Sequence, residues 1–192
     1  MPSDALTRWR RERCEVLDSL EAIHAQVTGG LRDRRTVTEH LTLALFVRLA
    51  AEFQGFCRDL HDDAAIRIVF GLPDAFAARV PVLLAVLVKG RKLDRGNAAP
   101  GNIGADFGNL GMSLWPAVYA KYPVQGSRWN VVLDRLNQVR NALVHSDSAG
   151  LAEVERLQPL TLTTFRRWRA ALNAAATGLD TVVSAYLEDL IG

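Results

Sequence analysis

Residues 41–60 read LTLALFVRLAAEFQGFCRDL, inside a run from Val37 to about Ile66 that contains no proline and a single glycine, Gly55. Leu41, Leu45, Leu49, Phe53, Phe56, Cys57 and Leu60 recur every three or four positions, which is the spacing of one broad apolar face on a helix. A helix this long and this apolar on one side predicts a post that crosses the core. Arg48, Glu52 and Asp59 fall within about 40° of one another at 100° per residue. They form a polar stripe, read first as an Arg48–Glu52 ion pair one turn apart and second as the lining of a polar cleft that could touch substrate.

The flanking chain follows the same period. Leu6, Trp9, Val16, Leu17, Leu20, Ile23 and Val27 predict a first helix over 4–27, capped by Ser3 or Asp4 and ended by Gly29 and Gly30. Pro73 and Pro81 bracket a short helical stretch with a break at the second proline. Six glycines and three asparagines between Gly90 and Gly111 predict a loop on the outside, holding at most a short helix over 103–110 capped by Asn102. Trp129, Val131, Val132, Leu136, Val139, Leu143 and Val144 mark a helix over 127–145, stopped by SDSAG, and a last helix is expected over 161–190. No segment alternates with period two. The expectation is an all-α, single-domain bundle of five or six helices over residues 1–192, with a loop-rich insertion around 90–112.

The chain has 192 residues, 49% hydrophobic and 23% charged, with a formal net charge of +2. That length suits one domain able to bury about 70% of its extended surface, and the composition excludes a largely disordered or collagen-like chain. No stretch approaches a membrane span, and MPSDALTRWRRER lacks an apolar signal region, so a cytoplasmic protein without a membrane partner is expected. Cys14 and Cys57 are too few for a disulfide framework and are expected reduced and buried. Three of the 23 basic residues are lysines, which leaves 20 arginines. Arginine matches phosphate geometry, although genome composition alone can enrich it.

Several chemistries find no footing. His24, His40, His61 and His145 are assigned to separate helices, with no His-Glu-x-x-His pair and no Cys-x-x-Cys, so no metal is expected. His61-Asp62-Asp63 is read as a solvated helix end. The glycines at 101, 104, 108 and 111 fit neither the dinucleotide fingerprint nor the Walker loop, and no serine or cysteine nucleophile signature occurs. No cofactor is expected.

One constellation remains, in LDRLNQVRNALVHSD over 133–147. Arg140, Asn141 and His145 close an otherwise apolar helix. Asn141 and His145 share a face, whereas Arg140 lies about 140° from His145. The C-terminal end of a helix is the negative pole of its dipole, a setting suited to a histidine that moves protons. By residue type alone, such a trio at a helix end is more often a cap with its hydrogen bonds than a catalytic set.

The segment resembles the signature of the HEPN superfamily, an arginine, a polar residue and a histidine after a short interval, carried by Arg140, Asn141 and His145. The first helix with its Gly-Gly end, LTLALFVRLAAEFQGFCRDL, DFGNLGMSLW and LDRLNQVRNALVHSD follow in order the pattern of the RiboL-PSP group of that superfamily, over residues 10–150. Ser146 stands where glycine is common, and Gln54 where an aromatic or acidic residue is common. The resemblance implies a metal-independent endoribonuclease of toxin or defence-effector type. It also implies a homodimer with both motifs in one cleft, RNA as substrate and an antitoxin protein as partner. It assigns Arg140, Asn141 and His145 to catalysis; Arg48, Glu52 and Asp147 are added as substrate-binding candidates. The alternative is a noncatalytic interaction or nucleotide-binding module of the same fold. Four basic clusters, at 8–13, 32–35, 89–95 and 166–169, would supply phosphate contacts, two of them with a tryptophan for base stacking.

Overall fold

A computed structural model describes residues 1–29 and 35–191, and every regular element among them is helical. The order is α1 (Asp4–Arg8), a π-helical turn (Trp9–Arg13), α2 (Cys14–Thr28), α3 (Arg35–Phe70), a 3₁₀ turn (Asp74–Arg79), α4 (Val80–Val88), α5 (Lys92–Arg95), α6 (Pro100–Gly108), α7 (Leu114–Lys121), α8 (Pro123–Val144), α9 (Ser148–Leu157) and α10 (Leu162–Ile191). The all-α class agrees with the sequence. There are more segments than five or six because Pro81, Pro100, Pro123 and the SDS turn each interrupt the chain and start another helix. The expected Gly30 stop and most of the 32–35 basic cluster lie outside the described residues.

Ser3 caps α1, its Oγ accepting from the Leu6 N–H at 3.1 Å. Leu6, Trp9 and Leu17 are buried, and the π turn adds a residue to the helical register, ending at Arg13. Arg13 then lies across α3, where it pairs with Glu52 at 2.8 Å and Asp59 at 2.7 Å. Gly55 makes room for it, since a Cβ there would sit 2.2 Å from Arg13 Nη1.

α3 is the central post the periodicity predicts. Phe46 meets Phe165 and Trp168 of α10 edge-on at centroid distances of 5.9 and 5.2 Å, while Phe53 and Phe56 pack on Trp9 at 5.6 and 5.7 Å. α10 brings α8 close through Gly178, where a Cβ would stand 2.4 Å from the Trp129 ring. One core takes buried side chains from α1, α2, α3 and α5 to α10. α4, VPVLLAVLV, contributes none that is fully buried; Leu84, Leu87 and Val88 lean on the core, and Val82 and Val86 are 66% and 64% exposed.

The segment expected as an outside loop, 90–112, is corrected. It carries α5 and α6 and buries Leu93, Ala98, Ile103, Phe107, Leu110 and Met112. Gly96 and Gly108 end short helices, and Gly101 and Gly104 lie inside α6. Asn102 does not cap α6, which begins with Pro100 after Ala99; the Asn102 amide turns back to Asn97. α9, absent from the expectation, starts at once after the stop read in SDSAG. No helix among the described residues is long and apolar enough to cross a membrane.

His61-Asp62-Asp63 is not a solvated helix end but lies well inside α3, with His61 fully buried. The three side chains diverge. The His61 Nε2–H donates to the Asp106 carbonyl at 3.1 Å, Asp62 pairs with Arg91, and Asp63 accepts from the Ala5 N–H at 2.7 Å. Burial first, then the positive charge of Arg91, hold the His61 imidazole below its ordinary value of 6.5. His40 shares α3 with His61, so the two are not on separate helices. Both cysteines are free; Cys57 is buried, which pushes its thiol up, whereas Cys14 is only half-buried.

Candidate functional site

The C-terminal end of α8 positions the three residues singled out by the sequence. The helix closes on His145. The Asp147 N–H bonds to the Ala142 carbonyl at 2.8 Å and the Ser146 N–H to that of Leu143 at 3.5 Å, a Schellman closure. Ser146 takes the left-handed position with φ of 55°. This is the place where the sequence pattern called for glycine. The sharp reversal leaves His145 exposed and sends the chain directly into α9, whose first turn is capped by Asp147 Oδ1 accepting from Gly150 N–H at 2.9 Å.

Between α8 and α9 lies an open groove of about 380 Å³ lined by Gln138, Asn141, Ala142, His145, Asp147, Gly150, Glu153 and Val154. Two lining carboxylates are committed elsewhere, Asp147 to the α9 cap and Glu153 to Arg156 at 2.8 Å. The imidazole of His145 has no partner among the described residues.

Arg140 does not line this groove. Its Nη1 donates to Asn141 Oδ1 at 3.1 Å, so Asn141 bridges the angular gap between Arg140 and the face that carries His145. The electrostatics of Arg140 differ from those of three other half-buried arginines. Arg13 rests on Glu52 and Asp59, Arg91 on Asp62 and Asp94, and Arg169 on Asp18 and Glu21. Arg140 has no carboxylate partner among the described residues, and neither has Arg135, earlier on α8. A half-buried guanidinium held by a neutral amide keeps its charge available to an anion.

Sequence reasoning missed the other side of this arrangement. Asn97, between α5 and α6, donates from Nδ2 to Asn141 Oδ1 at 3.1 Å. Its own Oδ1 accepts from Ala99 N–H at 3.1 Å and from Asn102 Nδ2 at 3.3 Å, and Asn102 Nδ2 also reaches the Asn97 carbonyl at 2.9 Å. Gln54 of α3 fixes the approach, donating to the carbonyls of Leu93 at 2.7 Å and Gly96 at 2.8 Å. The only sequence signal is the three asparagines among the glycines between Gly90 and Gly111, a composition that predicts an outside loop with at most a short helix.

Of the added candidates, Asp147 sits in the groove but serves α9. Arg48 and Glu52 are not brought to the motif. Arg48 pairs with Glu52 at 2.5 Å, and Glu52 joins Arg13 in a network with Asp59 and Arg8 between the first helices and α3. The ion-pair reading of that stripe is the one the geometry supports.

The basic clusters divide. Trp9 and Trp168 are core residues, 1% and 2% exposed, so neither offers a stacking face. Arg8, Arg13, Arg91, Arg166 and Arg169 are held by carboxylates. Lys92 and Arg95, exposed on α5 just ahead of Asn97, have no ion-pair partner among the described residues. No three His, Cys, Asp or Glu side chains gather as a metal site among the described residues. No family model, curated protein or solved structure matches the chain.

Proposed function

We propose that this chain is a metal-independent endoribonuclease of toxin or defence-effector type, with an active site completed by a second copy. The observation that carries the reading is the half-buried, carboxylate-free Arg140 joined through Asn141 to the rim of an open groove where His145 is exposed. Cleaving RNA by its own 2′-hydroxyl requires a base for that hydroxyl, positive charge on the phosphorane and an acid for the leaving oxygen. Arg140 supplies the charge. Asn141 orients the phosphate by donating from its amide, and His145 moves protons.

One histidine per chain serves one of the two proton transfers. In a two-fold dimer, one His145 takes the 2′-hydroxyl proton as O2′ bonds to phosphorus. The P–O5′ bond breaks, and the partner's His145 protonates O5′. The products carry 2′,3′-cyclic phosphate and 5′-hydroxyl ends. A protein that cuts RNA in this way needs restraint in its host, hence the proposed antitoxin partner.

Overexpression with and without His145→Ala, together with analysis of RNA ends made by the purified protein in a chelator, tests this reading. It predicts growth arrest relieved by the substitution, and cyclic-phosphate ends made with the chelator present. Arrest that persists in His145→Ala, or RNA left intact by the purified dimer, supports a noncatalytic module instead.

A further inference from the structure

The Asn141 carboxamide is a two-way group whose orientation decides what the groove can bind. Its oxygen has two lone pairs, and both are engaged, one by Arg140 Nη1 and one by Asn97 Nδ2, each at 3.1 Å. Its amide group, by contrast, has no partner among the described residues. A carboxamide fixed in this way presents only N–H donors to the groove, and the guanidinium behind its oxygen is donor-only as well. Reversed, it would place an acceptor oxygen there and repel any anion.

Arg140 and Asn97 make the choice between the two orientations together, each donating to the oxygen. Asn97 is itself locked, because its oxygen accepts from Ala99 N–H and Asn102 Nδ2, which forces its Nδ2 toward Asn141. Gln54 holds the adjoining backbone through Gly96. The polarity of the groove is therefore set by a relay from α3 and the α5–α6 connection, not by α8 alone.

We infer that Asn97 is a positioning residue that, with Arg140, locks Asn141 as a donor, so that the groove selects a ligand group with acceptor oxygens only, a phosphodiester or free phosphate. The inference rests on the nuclease reading only for naming RNA as the natural source of that phosphate.

Asn97→Asp isolates the donor, since the carboxylate still accepts from Ala99 and Asn102 but cannot donate to Asn141. Asn97→Ala removes the donor without adding charge. The probes are inorganic phosphate and a 2′-deoxy oligonucleotide, which lacks the attacking hydroxyl and reports binding alone. Affinity is followed by titration, and the orientation of Asn141 by the NMR signals of its side-chain amide. In the wild-type protein those signals shift with either probe. Both variants are expected to lose about tenfold or more in affinity for both probes and to lose the amide shift, while melting as cooperatively as the wild type. Oligonucleotide affinity that falls while phosphate affinity never registers, even in the wild type, identifies a phosphodiester in its nucleic-acid context as the ligand.

Variants that bind both probes as tightly as the wild type, with the Asn141 amide still shifting, overturn the positioning role. An Asn97→Ala protein that is merely unstable shows lowered melting with the amide shift retained, which also counts against it. A wild-type protein that binds the probes but leaves RNA uncut contradicts the nuclease reading and leaves this inference standing.

Discussion

Ser146 carries a positive φ at the closure of α8, a conformation that costs a non-glycine residue about 1–2 kcal/mol. Ser146→Gly should therefore raise stability by about 0.5–1 kcal/mol, after allowance for the freer unfolded chain, and should leave the groove intact. Denaturant melting checks this; a loss of stability would mean that the Ser146 side chain has a role beyond the turn. The left-handed position of Ser146 was not legible in the sequence, whereas the stop after α8 was, as SDSAG, because helix-closing chemistry is local. The same holds for Arg140, Asn141 and His145, whose spacing on one helix end was visible without a fold. Asn97 was not legible, since an asparagine in a glycine-rich stretch serves a turn or a tertiary bridge equally well. Only packing brings it within 3.1 Å of Asn141.

Among the elements, the junction of the π turn with α3 makes the sharpest prediction. Gly55→Ala would drive a Cβ into Arg13 Nη1 and displace the guanidinium from Glu52 and Asp59. Because the far end of a flexible side chain can shift, the expected loss is about 1–3 kcal/mol. In a double-mutant cycle with Arg13→Ala, the Gly55→Ala penalty should shrink, since the group it strikes is gone. Equal penalties in both backgrounds would place the strain elsewhere. The long helices were readable because each shows an apolar face over many turns. α5, α7 and α9 are too short to declare themselves by period, and α6 showed only as the short helix expected over 103–110. They are held by packing, with Leu93, Phe107, Leu114 and Val154 as their buried anchors, and isolated helices of that length are marginal in water.

At the scale of the whole molecule, stability should depend on pH through His61. Its imidazole is buried and held below 6.5, so the unfolded chain takes up the proton more readily than the folded one. Stability is then fully present above pH 6.5 and is lost progressively as pH falls through that value toward the lower folded one. Melting temperatures recorded between pH 7.5 and 5.5 should fall, and His61→Phe should flatten the slope over about that interval. An unchanged slope would assign the acid sensitivity to other groups. Core and rim should also separate in energy. Phe53→Ala should cost about 3–5 kcal/mol, and Val82→Ala on the exposed side of α4 should stay within about 0.5 kcal/mol. RNA cleavage at the end of α8 is proposed to use His145 as its proton carrier. The most direct measurement is the rate at which His145→Ala, shown by melting to be folded, cleaves single-stranded RNA in a chelator. A fall of about a hundredfold or more is expected, and a rate equal to the wild type would refute the nuclease proposal.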